Sequence, residues 1–220
     1  MAKHLLLLLV IMLAFPCLVS AEIDRDLRLK LGSAPGTDRI EIENSVWPST
    51  IGHGPENHRG TNVQVEVVFS PHTRGSFAGF ILGVGLFYRQ HPGEIQNLSI
   101  PIKVDYSAIG MSMAPGLRFR INDAWNVDWK VEWGVGRAKK VALDSPGVNW
   151  NATRKGEYIS LGPIVGCYYL FENSTSRVGL EFGYQKFWGD FEIRSNSGSW
   201  SEGTLSGVNR TVNIVYGIQF

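Results

Sequence analysis

Trp125-Asn126-Val127-Asp128-Trp129-Lys130-Val131-Glu132-Trp133-Gly134-Val135-Gly136 decides how the rest of this chain is read. Every second residue is tryptophan or valine, and Asn, Asp, Lys, Glu and glycine stand between them. Successive side chains of a β-strand point to opposite faces, so this run is a strand with one apolar and one polar face. Half-buried strands of soluble proteins alternate too, but seldom at this length or with three tryptophans on one side.

The same alternation recurs on both sides of this run. Leu27, Leu29 and Leu31 alternate with Arg28 and Lys30; Val63, Val65, Val67 and Phe69 alternate with Gln64 and Glu66. Further strands are expected over 77–89, 109–121, 158–171, 178–191 and 212–220. Three short turns (70–75, 122–123, 172–177) alternate with four longer connections. The pattern predicts an all-β, eight-stranded antiparallel up-and-down barrel with the longer loops at one end. A ten-stranded barrel is the alternative. Leu98 to Tyr106 alternate in one parity and Ile109 to Met113 in the other, which implies a bulge near Ser107-Ala108 or an extra hairpin arm. Arg39, Glu41 and Glu43, alternating with Ile40 and Ile42, suggest a similar extension.

The faces then need assignment. A soluble barrel turns its apolar face inward; a transmembrane barrel inverts this because lipid surrounds it. Strand residues rise about 3.3 Å and tilt by ~40°, so Trp125 and Trp133 differ by roughly 20 Å in height. That matches the two edges of an apolar band. Tyr169 and Phe171 fall with Trp125 toward the short turns, and Tyr88 and Trp188 toward the long loops, as two aromatic girdles. The polar face becomes the lumen, with Arg28, Lys30, Gln64, Glu66, Arg118, Arg120, Asp128, Lys130, Glu132, Glu181 and Asn213 pointing in. Cations and anions nearly balance, and buried charges are tolerated only when paired. The expected interior is a plug; a gated pore for small solutes is the alternative.

Residues 1–21 read as a secretory leader: Lys3, an apolar stretch from Leu5 to Phe15, and the small-residue site Val19-Ser20-Ala21. The barrel domain is expected over 22–220. Of the 21 basic and 20 acidic residues, only Lys3 lies in the leader, so the remainder is balanced and gives no support to nucleic-acid binding. Cys167 is the one cysteine beyond the leader, which leaves no disulfide within the domain.

Val212, Ile214, Tyr216, Ile218 and Phe220 share one face of the last strand. This run, ending Tyr216-x-Ile218-x-Phe220, resembles the C-terminal assembly signal of bacterial outer-membrane β-barrels. The chain as a whole resembles the small outer-membrane barrel class (OmpA/OmpX/OmpW-like). The resemblance implies an outer-membrane location, assembly by the barrel-insertion machinery, contact with outer-membrane lipid including lipopolysaccharide, and a monomer.

Chemistry is sparse. The four histidines beyond the leader, His53, His58, His72 and His91, are expected in turns and loops, and none pairs with a serine in a recognisable deacylase pattern. No catalytic, cofactor or metal residue is assigned. Arg137, Lys139, Lys140, Arg154 and Lys155 flank the third long loop at a height suited to lipopolysaccharide phosphates. The expected role is therefore non-enzymatic, either structural in the envelope or a surface interaction through the loops. A small-solute channel and a lipid A-modifying enzyme are the alternatives.

Overall fold

The computed structural model describes residues 23–34, 36–43, 51–52, 60–71, 77–95, 102–145, 148–154, 156–172, 174–194 and 200–220. They form β1 (Ile23–Ala34), β2 (Gly36–Glu43), β3 (Ile51–Gly52), β4 (Gly60–Pro71), β5 (Ala78–Ile95), β6 (Ile102–Arg120), β7 (Trp125–Ser145), β8 (Val148–Arg154), β9 (Glu157–Leu170), β10 (Ser176–Arg194) and β11 (Trp200–Gln219). Eight of these, β1, β4, β5, β6, β7, β9, β10 and β11, pair antiparallel in sequence order, and β11 closes on β1. Closure leaves no edge in the wall.

The registers fix the barrel's geometry. Starting at Leu27, the paired positions run through Val67, Val84, Met113, Trp133, Leu161, Lys186 and Val208, and return to the first strand's continuation at Thr37. The path comes back ten residues from where it began. A shear of ten over eight strands sets the tilt at roughly 40°, so each residue along a strand climbs about 2.5 Å.

The three remaining strands stand above the wall and do not widen it to ten. β2 keeps the register that β1 holds on β11, from Asp26↔Gln219 through to Glu43↔Glu202. The residue between them, Pro35, has no N–H to give a ladder. β3 lies on β2, and β8 sits between β7 and β10 above the start of β9. The irregularity expected near Ser107-Ala108 is present, but its extra residue is on the partner strand. Ser107 pairs with Lys140 and Ala108 with Ala138, so Lys139 is the bulged residue.

Burial confirms the inversion. Leu86, Met111, Phe182 and Ile214 are 55–65% exposed on the outer wall, whereas Arg28, Lys30, Asp128, Lys130, Glu132 and Glu181 are 0% exposed. Such a surface is stable only where lipid covers it.

Candidate functional site

Because side chains alternate along every strand, the inward set forms tiers stacked along the barrel axis. The lowest tier, nearest the short turns, holds Asp26, Arg28, Arg118, Asp128 and Arg177. Arg118 grips Asp128 with two hydrogen bonds, from Nε at 2.8 Å and Nη2 at 3.0 Å, and reaches Asp26 at 3.1 Å. Arg28 bridges Asp26 at 3.2 Å and Asp128 at 2.9 Å, and Arg177 pairs with Asp26 at 2.7 Å.

Above it, Lys30 and Lys130 alternate with Glu66 and Glu181. Lys30 lies 2.9 Å from Glu66 and 2.8 Å from Glu181; Lys130 lies 3.0 Å and 2.8 Å from the same carboxylates. Tyr168 donates to Glu181 and stacks beneath the Arg28 guanidinium, 4.2 Å from ring centre to Cζ. Each charge in this square meets two of opposite sign, which is how four ions tolerate a dry interior.

The third tier centres on Glu132. Its carboxylate accepts from Arg89, from Gln64 at 2.8 Å and from Gln185 at 2.6 Å. Arg89 also donates to Ser160 at 2.7 Å and to Asn62 at 3.2 Å, and Gln64 to Ser112 at 2.8 Å. Toward the long loops the interior turns aromatic. His91 stacks on Phe187 with ring centres 4.5 Å apart; Tyr158 lies 5.8 Å from Phe187 and 5.7 Å from Phe87; Tyr106 lies 6.3 Å from Tyr158 and 6.5 Å from Phe191. The interior is thus filled twice over, by ion pairs below and by rings above.

These contacts place the sequence-derived residues individually. Arg28, Lys30, Glu66, Asp128, Lys130, Glu132 and Glu181 are enclosed, and Arg118 is 12% exposed. Arg120, expected inside with them, is exposed at the turn-side mouth, because β6 ends there. His91, expected in a loop, is 3% exposed within the barrel, since β5 continues six residues past Arg89. Asp26, Arg89, Arg177 and Gln185 belong to the network and were missed. Arg89 follows an apolar run, and Asp26 and Arg177 stand near strand ends.

Outside, Trp125, Phe171 and Trp188 are exposed and Tyr88, Trp133 and Tyr169 half-buried. Trp125 meets Tyr169 at 5.1 Å, and Tyr169 meets Phe171 edge-on at 5.4 Å. Tyr216, Ile218 and Phe220 all face outward. Arg137 and Lys139 are exposed, with the Lys139 ammonium 5.9 Å from the Tyr88 ring centre. The side chains of Lys140, Arg154 and Lys155 lie outside the described residues, as do the leader, His53, His58 and His72. Two further outward cations escaped the sequence reading. Lys186 stands ten residues above Ser176, and Arg210 nine above Gln219, on adjacent strands. At about 2.5 Å per residue they lie roughly 25 Å above the turn-side rim, the height of an outer-membrane apolar band.

No protein-family model matches this chain, and no curated protein matches it in sequence. Solved structures are similar in fold. The outer membrane protease OmpT from Escherichia coli shares 8% identity at a TM-score of 0.53, over 92% of this chain and 99% of that one. A major outer membrane protein from Thermus thermophilus shares 10% identity at a TM-score of 0.51, over 90% of this chain and 99% of that one. At such identity the likeness is one of fold, and the apolar wall around a charged interior is that of a barrel set in lipid. This chain has the fold of these bacterial outer-membrane β-barrels.

Proposed function

We propose that the protein is a non-enzymatic, non-conducting barrel that acts at the cell surface through the strands and loops it raises above the membrane. The observation that carries this reading is the closed interior. A solute would have to break the Lys30–Glu181 and Arg89–Glu132 pairs and then displace the rings of Tyr106, Tyr158 and Phe187. Strand length supports the second half. β5, β6, β7, β10 and β11 run 18 to 21 residues. About 9–11 suffice to cross a bilayer, so nearly half of each projects beyond it.

Lipopolysaccharide is the partner this surface suits. Arg137 and Lys139 on β7, with Lys186 on β10 and Arg210 on β11, present cations at the height of outer-leaflet phosphates. Tyr216, Ile218 and Phe220, turned toward lipid, are the residues a barrel-insertion factor would read. The test is conductance of the purified protein in planar bilayers, together with mass spectra of host lipid A. Silent bilayers and unchanged lipid A are expected. Regular conductance steps would establish the channel reading, and an altered lipid A acyl pattern the enzyme reading.

A further inference from the structure

Two prolines stand in central strands of the wall, Pro115 in β6 and Pro163 in β9. Proline has no N–H, so each removes a ladder hydrogen bond, and within sheets it is confined to edge strands, strand starts and bulges. The pairing lapses accordingly: between β6 and β7 at Ala114 and Pro115, and between β9 and β10 at Gly162 and Pro163. In lipid no water replaces the lost bond. Both prolines nevertheless belong to one cross-strand row. By register Pro115 falls opposite Val131 and Pro163 opposite Tyr184, while Val131 pairs with Pro163 and Tyr184 with Arg210.

The outward rows on either side are bulkier. Above runs Met113–Trp133–Leu161, ending at Lys186; below runs Leu117–Trp129–Val165, ending at Phe182. Proline and valine reach less far from the wall than tryptophan, leucine or methionine. The proline row is therefore the floor of a shallow trough between two ridges. Pro115 stands five residues above Arg120, roughly 12 Å, which is the middle of an apolar band ~25 Å tall. Arg210 stands at the upper edge of that band. Four strand spacings of ~4.8 Å separate the two, so the trough is about 19 Å long. It crosses the outer leaflet once, from bilayer centre to headgroup.

We infer that this trough seats one acyl chain of lipopolysaccharide, with a lipid A phosphate held at its upper end by Lys186 and Arg210. The seat rests on the lipopolysaccharide reading above and adds where one molecule lies and what holds it. Tyr184 pairs with Arg210 and Lys186 with Val208, so the two cations are diagonal neighbours about 7–8 Å apart at their Cβ atoms. Both reach a single phosphate from there. Lipid tails are as apolar as the wall, so the trough selects by shape and van der Waals packing. The phosphate supplies the charge-assisted hydrogen bonds. In the leaflet on the long-loop side, lipid A is the lipid that brings phosphates to this height.

Native mass spectrometry of the full protein, folded in zwitterionic detergent, tests this with three probes: lipid A carrying its phosphates, lipid A stripped of them, and phosphatidylglycerol. Saturable one-to-one binding of phosphorylated lipid A is expected, with the other two weaker by about tenfold or more. Val131→Trp fills the floor from an outward position and should weaken that binding about tenfold while the heat-dependent gel shift persists. Pro163→Trp, which fills the floor one strand away and regains a ladder N–H, should do the same. Val131→Ala keeps the floor low and should bind as the unaltered protein does. Undiminished binding in both filled variants, or equal weakening in Val131→Ala, would overturn the seat and leave lipopolysaccharide contact standing. Phosphatidylglycerol bound as tightly would overturn lipid A as the occupant. No binding of lipid A to the unaltered protein would overturn the seat and the lipopolysaccharide reading together.

Discussion

Glu181→Gln is the sharpest test of how the interior is held. The change keeps the side chain's volume but removes the charge that Lys30 and Lys130 share at 2.8 Å each. At an effective dielectric of 20, each contact is worth about 6 kcal/mol of gross Coulomb energy. The desolvation that the carboxylate no longer suffers offsets much of this, and breaking a buried pair from one side costs about 3–5 kcal/mol net. Two lysines would then compete for Glu66, so the loss should fall at the upper end of that range. Adding Lys30→Met removes the surplus cation and leaves Lys130 paired with Glu66. The double variant should therefore be more stable than the sum of the two single changes by about 2 kcal/mol or more. Urea unfolding in lipid vesicles, followed by tryptophan fluorescence and by heat-dependent gel mobility, measures all four corners of the cycle. A Glu181→Gln cost below about 1 kcal/mol, or strictly additive losses, would refute a paired interior.

Other predictions concern the wall and its two rims. Gly162→Ala places a methyl group against the Tyr184 carbonyl of the neighbouring strand, where backbone cannot yield as a side chain can; a loss of about 1–3 kcal/mol is expected in the same unfolding assay. Phe220→Ala removes a ring that is 67% exposed to lipid, so refolding in detergent should change little, while the amount inserted into outer membranes of living cells should fall; equal insertion would remove the assembly role. Charge reversal of Lys186 and Arg210 together should lower the lipopolysaccharide that copurifies with the barrel and leave its gel shift intact. Undiminished copurification would show these cations to be ordinary rim charges.

The architecture was legible because alternation is a local property. Trp125 to Gly136 carries its own face assignment, and the closing strand from Val212 to Phe220 does likewise. The charged tiers were largely legible for the same reason, since Asp128, Lys130 and Glu132 stand between residues that had to face lipid. What escaped was the upper interior. There the inward residues are Phe87, His91, Tyr106, Tyr158 and Phe187, and apolar side chains inside as well as outside erase the contrast that assigns a face. Tyr106 shows the effect. Its inward direction has the same parity as Ser112 and Ala114, so the apparent parity switch in β6 is a change in what fills the barrel, and the strand does not flip. Arg177 and Asp26 were missed for another reason. A residue near a strand end acquires its neighbours from closure of the barrel, which pairs β11 with both β10 and β1.

The wall of this barrel faces lipid and its charges face in. Cys167 is a native reporter, exposed on the outer side of β9 between the inward Gly166 and Tyr168. With Cys17 replaced by serine, a nitroxide attached at Cys167 can be read by electron paramagnetic resonance in lipid vesicles. Frequent collisions with dissolved oxygen and few with a water-soluble nickel chelate are predicted, because the label lies in the acyl region. Frequent collisions with the nickel chelate would place that face in water and contradict the membrane barrel.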